Sequence, residues 1–378
     1  MKIAYATGSR ADYGIVRRYL KMLNNATDLS ILVTGSHLEA KFGNSVDNIE
    51  ADGFKIGLQV PLHIDNATNA GVIGSMSVAL EAFGRYFEDN RYDLLIILGD
   101  RYEMMSVAIA AAMQRIPILH LHGGEATYGN YDEFIRHSIT KMSTYHFAST
   151  ETYRRRIIQL GENPNRVFNM GALGAENCRM IDKNHVDDEV KKLLPHKYYV
   201  IAFHPETLSE VSVSEQVDSI INVVDCHAES EFVFMGTNAD TGSDVIRSKW
   251  VNYAENHDNT HYFENLNNDS YLYMIKNSLA LIGNSSSGII EAPSLGVCTI
   301  NIGHRQDGRV SGNSVFNVEC SVPKIEEAIQ RVQAFQGTDI VNPYYAPDTA
   351  NRYFEKTIDL LQHPQGTIKV FYDIAPRI

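Results

Sequence analysis

Cysteine is scarce in this chain and scattered: Cys178, Cys226, Cys298 and Cys320 are its only four, and no two form a CxxC pair. That spacing excludes a zinc ribbon and a disulfide framework, and it suits a reducing cytoplasm. No apolar run approaches the roughly 18 residues a membrane helix needs. The opening "MKIAYATGSRADYG" begins a strand at once, with an apolar run too short for a signal peptide. Three signatures are also missing: GxGxxG, the Gly-Lys-Ser/Thr of a nucleoside triphosphatase, and HExxH. Positive charge is in deficit, 33 Lys and Arg against 46 Asp and Glu, for a net charge of −13. Nucleic acid and anionic membrane are therefore poor partners. A cleft that is locally positive still suits an anionic small molecule.

What is present is the composition of a soluble globular protein, 44% hydrophobic and 21% charged, over 378 residues. That length suits two domains. "KIAYAT" (2–7), "LSILVT" (29–34), "LLIILG" (94–99), "PILHLH" (117–122) and "YHFAS" (145–149) read as strands. "ADYGIVRRYLKMLNN" and "RYEMMSVAIAAAMQR" between them repeat apolar residues at helical spacing. The pattern restarts with "YYVIAF" (198–203), "EFVFMG" (231–236), "LALIG" (279–283) and "CTINIG" (298–303). Near-continuous apolar strands separated by helices imply parallel sheets covered on both faces. The fold class expected is α/β, two doubly wound domains facing a cleft, 1–175 and 176–378, with the boundary in the polar stretch 172–190. The tail helix "NRYFEKTIDLLQ" (351–362) is free to pack back, in particular onto the N-terminal domain. Open α/β sheets bind ligands at the carboxyl ends of their strands, so chemistry is sought there.

Five stretches lie at such ends. "TGSRADYG" (7–14) offers small residues, backbone N–H groups and Arg10, whose fork of donors suits phosphate or carboxylate. The plain alternative is a turn with Asp12 capping the helix. "GDRYE" (99–103) places Asp100 and Arg101 where a strand meets a helix, and Asp100 there is either functional or only a cap.

"HLHGGEATYGNYDEFIRH" (120–137) crowds histidines, carboxylates and an arginine beside a Gly-Gly pair. His120 and His122, two apart on a strand, should share a face, yet no further ligand completes a metal site. Asp132 and Arg136 are i,i+4 neighbours, so a surface ion pair is the bland alternative to proton transfer. "FHPET" (203–207) puts His204 at the first strand end of the second half. "IGNSSSGIIEAPSLG" (282–296) sets three hydroxyls before a helix, with Glu291 one turn in. A capping serine explains one hydroxyl but not three followed by Glu. A helix start offers N–H groups to a phosphate, and a carboxylate can take two hydrogen bonds from a ribose diol.

Together these stretches resemble the hydrolysing UDP-N-acetylglucosamine 2-epimerases that make N-acetylmannosamine for sialic acid. The similarity runs from "TGSRADYG" to "INIGHRQDGR" (300–309), and the match is to the bacterial capsule branch through "GDRYE", "HGGE", "NYDEFIRHSITKMS", "FHPETLS", "NADTGSD" and "IGNSSSG". The resemblance implies two Rossmann-like domains of the GT-B-like type, with the nucleotide-sugar between them and no cofactor or metal. It implies UDP held by Ser285, Ser286, Ser287 and Glu291, with Asn238 and His204 nearby. Arg10, Arg101 and Arg136 would reach the nucleotide or sugar, while Asp100, Glu125, Asp132 and His37 match catalytic or sugar-side positions. Some members carry Glu where this chain has His122, which moves that acid/base role to His122 or to Asp100. The implied reaction takes UDP-N-acetylglucosamine and water to N-acetylmannosamine and UDP. A homodimer or homotetramer in the cytoplasm is expected from the same likeness. A 6-deoxy-2,4-diacetamido sugar of the legionaminic acid branch, and a glycosyltransferase of the same architecture, are the competing expectations. A nucleotide-sugar sensor without turnover is a more distant one.

Overall fold

The computed structural model describes residues 1–374 apart from 41–42, 66–67, 194, 207, 238–239, 336, 338 and 367. The chain divides into two compact units. Unit 1 comprises Met1–Glu125, Asp132–Leu173 and Ala346–Ile378; unit 2 comprises Ala126–Tyr131 and Gly174–Tyr345.

Unit 1 holds one parallel sheet of seven strands: β1 (Lys2–Thr7), β2 (Asp28–Thr34), β3 (Ile56–Val60), β4 (Leu94–Leu98), β5 (Ile118–Leu121), β6 (Tyr145–Ala148) and β7 (Val167–Asn169), in the order β3-β2-β1-β4-β5-β6-β7. Unit 2 holds six: β8 (Tyr198–Ala202), β9 (Glu231–Met235), β10 (Thr260–Phe263), β11 (Leu281–Gly283), β12 (Thr299–Ile302) and β13 (Val315–Val318), in the order β10-β9-β8-β11-β12-β13, again all parallel. These are two α/β units, as the apolar runs require. All five residues of β4 are buried, the mark of a strand covered on both faces.

The strands absent from the sequence expectation are β3, β7, β10 and β13. They are the four sheet edges, where fewer neighbours leave room for polar and half-exposed side chains. Both sheets also have a point where strand order reverses direction. In unit 1 it falls between β1 and β4, and in unit 2 between β8 and β11. At such a switch point the connecting segments leave to opposite sides and open a crevice past the strand ends.

The helices follow from capping and periodicity. The Arg10–Ala26 helix buries Tyr13, Val16, Tyr19, Leu20 and Leu23, one stripe at three- and four-residue spacing. The Val213–Cys226 helix opens with a reciprocal Ser212–Glu215 capping box. Among the described residues no helix is long and apolar enough to cross a membrane.

The tail helix Thr349–Gln362 belongs to unit 1. Tyr353 stands edge-on to Phe147 (centroids 4.9 Å) and Tyr19 (5.6 Å), and its hydroxyl donates to the Gly171 carbonyl at 2.9 Å. Tyr19 and Thr357 share a hydrogen bond of 2.7 Å. Tyr353→Ala should lower unit 1 stability by about 3–5 kcal/mol, as for other buried aromatics. Urea titration followed by a probe in unit 1 measures this, and an unshifted midpoint would show that the tail helix is dispensable.

Candidate active site

At the switch point of unit 1, the loop after β1 is built around glycine. A Cβ on Gly8 would lie 2.2 Å from Oε1 of Glu103, and one on Gly35 (φ +62°) would lie 2.8 Å from the same atom. Glu103 is a fully buried carboxylate lodged where the loops after β1, β2 and β4 converge, and it accepts a hydrogen bond from Arg101 Nε at 2.5 Å. Ser9, not Asp12, caps the following helix, accepting the Asp12 N–H at 3.3 Å. The shorter hydroxyl side chain at the boundary position reaches back to that amide, while Asp12 already lies inside the first turn.

His37 is completely buried. Its Nε2 lies 2.9 Å from the Thr7 hydroxyl and its Nδ1 2.8 Å from the Ser45 hydroxyl. Burial, then the charge of Arg101 and more weakly that of Arg10, push its pKa down to about 3. Both ring nitrogens of His37 are thus engaged inside the protein, and the ring is neutral near two guanidinium groups.

Asp100 does not cap a helix. Arg101 occupies the N-cap position of the Tyr102–Met113 helix, and Asp100 pairs with Nη2 of Arg136. Arg136 is far from the surface ion pair that i,i+4 spacing allows. Its side chain is 1% exposed, and it also donates to the Glu125 carbonyl (3.1 Å) and to Glu133 Oε2 (3.4 Å). Asp132 begins the same helix, Asp132–Met142, and is half-buried. The carboxylate of Glu125 is buried; it accepts the Ser149 hydroxyl at 2.6 Å and faces His122 Nδ1 at 3.2 Å.

The expectation that His120 and His122 share a face is corrected here. β5 ends at Leu121 and His122 takes a left-handed φ of 64°, which breaks the alternation. His120 is fully buried, with Nε2 2.8 Å from the Gly99 carbonyl and Nδ1 3.1 Å from the Thr140 hydroxyl. A carbonyl only accepts, so Nε2 carries the proton and Nδ1 accepts from Thr140. At His122 the partner is a carboxylate, which only accepts, so Nδ1 is the donor toward Glu125. Its buried Nε2 has no hydrogen-bond partner among the described residues.

Unit 2 presents a second constellation at its own switch point. Asn284, just past β11, accepts the His204 N–H (2.7 Å) and donates to the His204 carbonyl (2.9 Å), which locks the two central strand ends together. Its carbonyl accepts from Arg305 (3.0 Å) and Gln306 (2.7 Å). Glu206 accepts the N–H groups of His304 (2.8 Å) and Arg305 (3.2 Å). His204 Nδ1 lies 2.9 Å from the Thr237 hydroxyl.

The three serines divide their tasks. Ser285 and Ser287 share a hydrogen bond of 2.9 Å, and Ser287 meets the Tyr271 hydroxyl at 2.6 Å. That tyrosine has its pKa pushed up to about 12, chiefly by burial. The helix expected after them is two short turns, Ser287–Ile290 and Ala292–Leu295, divided at Glu291. Pro293, in the first turn of the second, has no N–H with which to continue the first. Glu291 itself is buried, and Gly174 packs so tightly on it that a Cβ there would lie 2.0 Å from Oε1. Asn238 lies outside the described residues. The loop Ala126–Tyr131 is part of unit 2, where the Tyr128 N–H donates to the Asp307 carbonyl (3.3 Å) and Arg309 Nε to that of Ala126 (3.3 Å).

The family model for UDP-N-acetylglucosamine 2-epimerase matches residues 21–357. The chain belongs to that family. It is 46% identical to the polysialic acid biosynthesis protein P7 of Escherichia coli, over 99% of this chain and 97% of that protein. It is 36% identical to the GDP/UDP-N,N'-diacetylbacillosamine 2-epimerase (hydrolyzing) of Campylobacter jejuni, over 88% of each. The UDP-GlcNAc 2-epimerase of Methanocaldococcus jannaschii, solved in complex with UDP-GlcNAc and UDP, shares the fold with a TM-score of 0.78 at 16% identity, over 95% of this chain and 100% of that one.

In this UDP-N-acetylglucosamine 2-epimerase family member, the residues missed by the sequence reading are Glu103, Ser149, Asn284, Glu206, Arg305, Gln306 and Tyr271. They contact other protein groups; Glu103, Asn284, Glu206, Arg305 and Gln306 stand inside the quoted motifs without having been singled out, and Ser149 and Tyr271 carried no such signal.

The buried histidines give unit 1 an acid limit. Above pH 6.5 the His120 ring is neutral in both folded and unfolded chains, and its contribution to stability is complete. Below that, the unfolded chain takes up a proton that the folded ring refuses down to about pH 3, so stability falls. The loss is at most about 1.4 kcal/mol per pH unit for each such histidine. In His120→Gln an amide can replace both bonds. Thermal melts from neutral pH to about pH 4 should be shallower in pH than the wild type by one proton's share. Equal slopes would remove His120 from this account.

Proposed function

We propose that the protein is a hydrolysing epimerase that converts UDP-N-acetylglucosamine and water to N-acetylmannosamine and UDP through 2-acetamidoglucal. The observation that carries the proposal is the gathering of its distinctive residues at strand ends at or next to the two switch points. Asp100, His122 and Glu125 follow the central strands of unit 1, and His204 and Ser285–Glu291 follow those of unit 2.

The chemistry explains why these residue types suffice. The sugar's C2 proton is hardly acidic until UDP departs from C1 and leaves an oxocarbenium-like carbon beside it. Departure needs cations and hydrogen-bond donors on the diphosphate, a role for Ser285, Ser286, Arg10 and Arg101 with His204 assisting, while Glu291 takes the ribose diol. Elimination then needs a carboxylate to take the C2 proton, and hydration needs a second group to return one from the other face. Asp100 and Asp132 carry these transfers. Asp100, paired with the buried Arg136, sits as a carboxylate, the form that accepts a proton. His122 Nε2, with Glu125 behind Nδ1, is a third candidate for proton transfer, at the position where the resemblance places Glu in some members.

Identity of 46% to the protein named for polysialic acid biosynthesis, against 36% to the diacetylbacillosamine enzyme, favours the N-acetylglucosamine substrate and a place at the start of sialic acid synthesis. The 36% match makes the UDP-linked diacetamido sugar the second reading. Four free thiols suit a cytoplasmic location. Ile73 and Leu80, both exposed and seven residues apart on the Asn69–Asp89 helix, offer an apolar face for a homodimer or homotetramer.

Incubation with UDP-N-acetylglucosamine alone should release UDP and free N-acetylmannosamine with no acceptor present. A product that forms only with an added acceptor would make the protein a transferase. Preference for the diacetamido sugar in a side-by-side assay would move it to the second branch. Asp100→Asn and Asp132→Asn should each lose at least about 10²-fold in kcat while UDP binding persists. Unchanged turnover in either would remove that residue from the mechanism.

A further inference from the structure

Beyond the tail helix, the chain runs across unit 1 as a strap. The Gln365 N–H donates to the Tyr145 hydroxyl at 2.9 Å, and Arg166 donates to the Gln365 carbonyl at 2.7 Å. Further on, the Tyr372 N–H donates to the Gly161 carbonyl at 2.9 Å, and the Phe371 ring lies so close over Gly161 that a Cβ there would meet it at 2.3 Å. Between these anchors Lys369 turns inward. Its ammonium donates to the carbonyls of Ser143 (2.5 Å), Lys141 (2.7 Å) and Thr140 (3.4 Å), and lies 2.8 Å from Glu162 Oε2.

Thr140 and Lys141 belong to the last turn of the Asp132–Met142 helix and Ser143 follows it; at such an end C=O groups lack partners within the helix and the macrodipole is negative, although Thr140 also accepts the Ser143 N–H at 3.1 Å. Lys369 is therefore a cap supplied from more than 220 residues away in sequence. The cap is embedded in a polar cluster. Glu162, also 2.6 Å from Lys141 Nζ and 3.2 Å from His146 Nε2, has its carboxyl held down at about 2 by those partners against the cost of burial. Burial in turn lowers the proton affinity of Lys369. An ammonium gives up hydration to reach such a position, and it does so only where fixed acceptors replace the water.

The helix that Lys369 grips also sets the acid loop. Arg136, one turn before Thr140, holds Asp100. The Thr140 hydroxyl donates to His120 Nδ1, and His120 Nε2 donates to the carbonyl of Gly99, the residue before Asp100. A direct pair from Arg136 and a two-step relay from Thr140 through His120 thus run from this helix to adjacent residues of one loop, and the tail fixes the C-terminal end of that helix, where Thr140 lies and one turn beyond Arg136.

We infer that Lys369 is a positioning residue: by capping the Asp132–Met142 helix from the C-terminal strap, it fixes where Arg136 and the Thr140–His120 pair hold Asp100. The kinetic half of this inference rests on the epimerase reading above; the structural half does not.

The test is Lys369→Met in the full chain, which keeps the aliphatic stem and removes the ammonium. Amide exchange over Ile139–Ser143 should speed at least about tenfold while the central strands stay protected. Turnover of UDP-N-acetylglucosamine should fall about three- to thirtyfold in kcat, the scale of a small misplacement of a reacting group. KM should hold within about twofold. Lys369→Arg, which retains the charge, should bring both readouts back toward wild type. Unchanged exchange, or a lower Tm with wild-type kcat per folded enzyme, would overturn the inference. Should Lys369→Met fail to fold, Phe371→Ala loosens the strap while leaving Glu162 its cations, and must move exchange and kcat in the same directions for the inference to stand. If the wild type itself does not turn over UDP-N-acetylglucosamine, the epimerase reading falls, and exchange alone decides whether the strap holds the helix.

Discussion

A guanidinium cannot shed its proton, so a buried arginine must be matched wherever the fold puts it. Arg136 is 1% exposed, and the need to match it organises unit 1. Asp100 comes to it from the loop after β4, Glu133 from its own helix, and the Glu125 carbonyl from the loop after β5. Breaking such a buried pair by removing one partner typically costs about 3–5 kcal/mol, because the other charge is stranded. That penalty gives a loop of otherwise adaptable backbone a single arrangement. The positions of Asp100 and of the Glu125 backbone are therefore set by the fold itself, the preorganisation that the proposed chemistry requires.

Unit 2 reaches comparable order around a neutral carboxamide. Asn284 has a carboxamide of one acceptor and two donors, and it spends both kinds on the backbone of His204 across the strand pair. Glu206 then fastens the amides after β12, and Arg305 and Gln306 return to the Asn284 carbonyl. The loop of serines thereby starts from a rigid base. Its hydroxyls, not a long helix dipole, are its main donors, because the helical run is cut at Glu291.

The two sheets were legible where burial is symmetrical. β4 or β8, covered on both faces, can be read as an unbroken apolar run. Edge strands such as β13, with only partial burial along its length, have no such signature. Candidate residues could be located where a motif stands at a strand end, as with Asp100, His204 and Ser285–Ser287. The partners of His37 and His120 could not, because they depend on what the fold brings to the two ring nitrogens. Those partners, Ser45 and Thr140, lie eight and twenty residues away.

The sequence by itself determined the class of fold, the motifs that stand at its strand ends and the family, since each depends on residues near one another in the chain. Tertiary structure alone decided that Asp100 belongs to Arg136 and that Glu103 fills the space two glycines leave. It alone brings Lys369 to the end of a helix in the first half of the chain. The physical reason is common to all three: a charge removed from water takes its partner from whatever the fold brings within about 3 Å. No spacing along the chain encodes that choice.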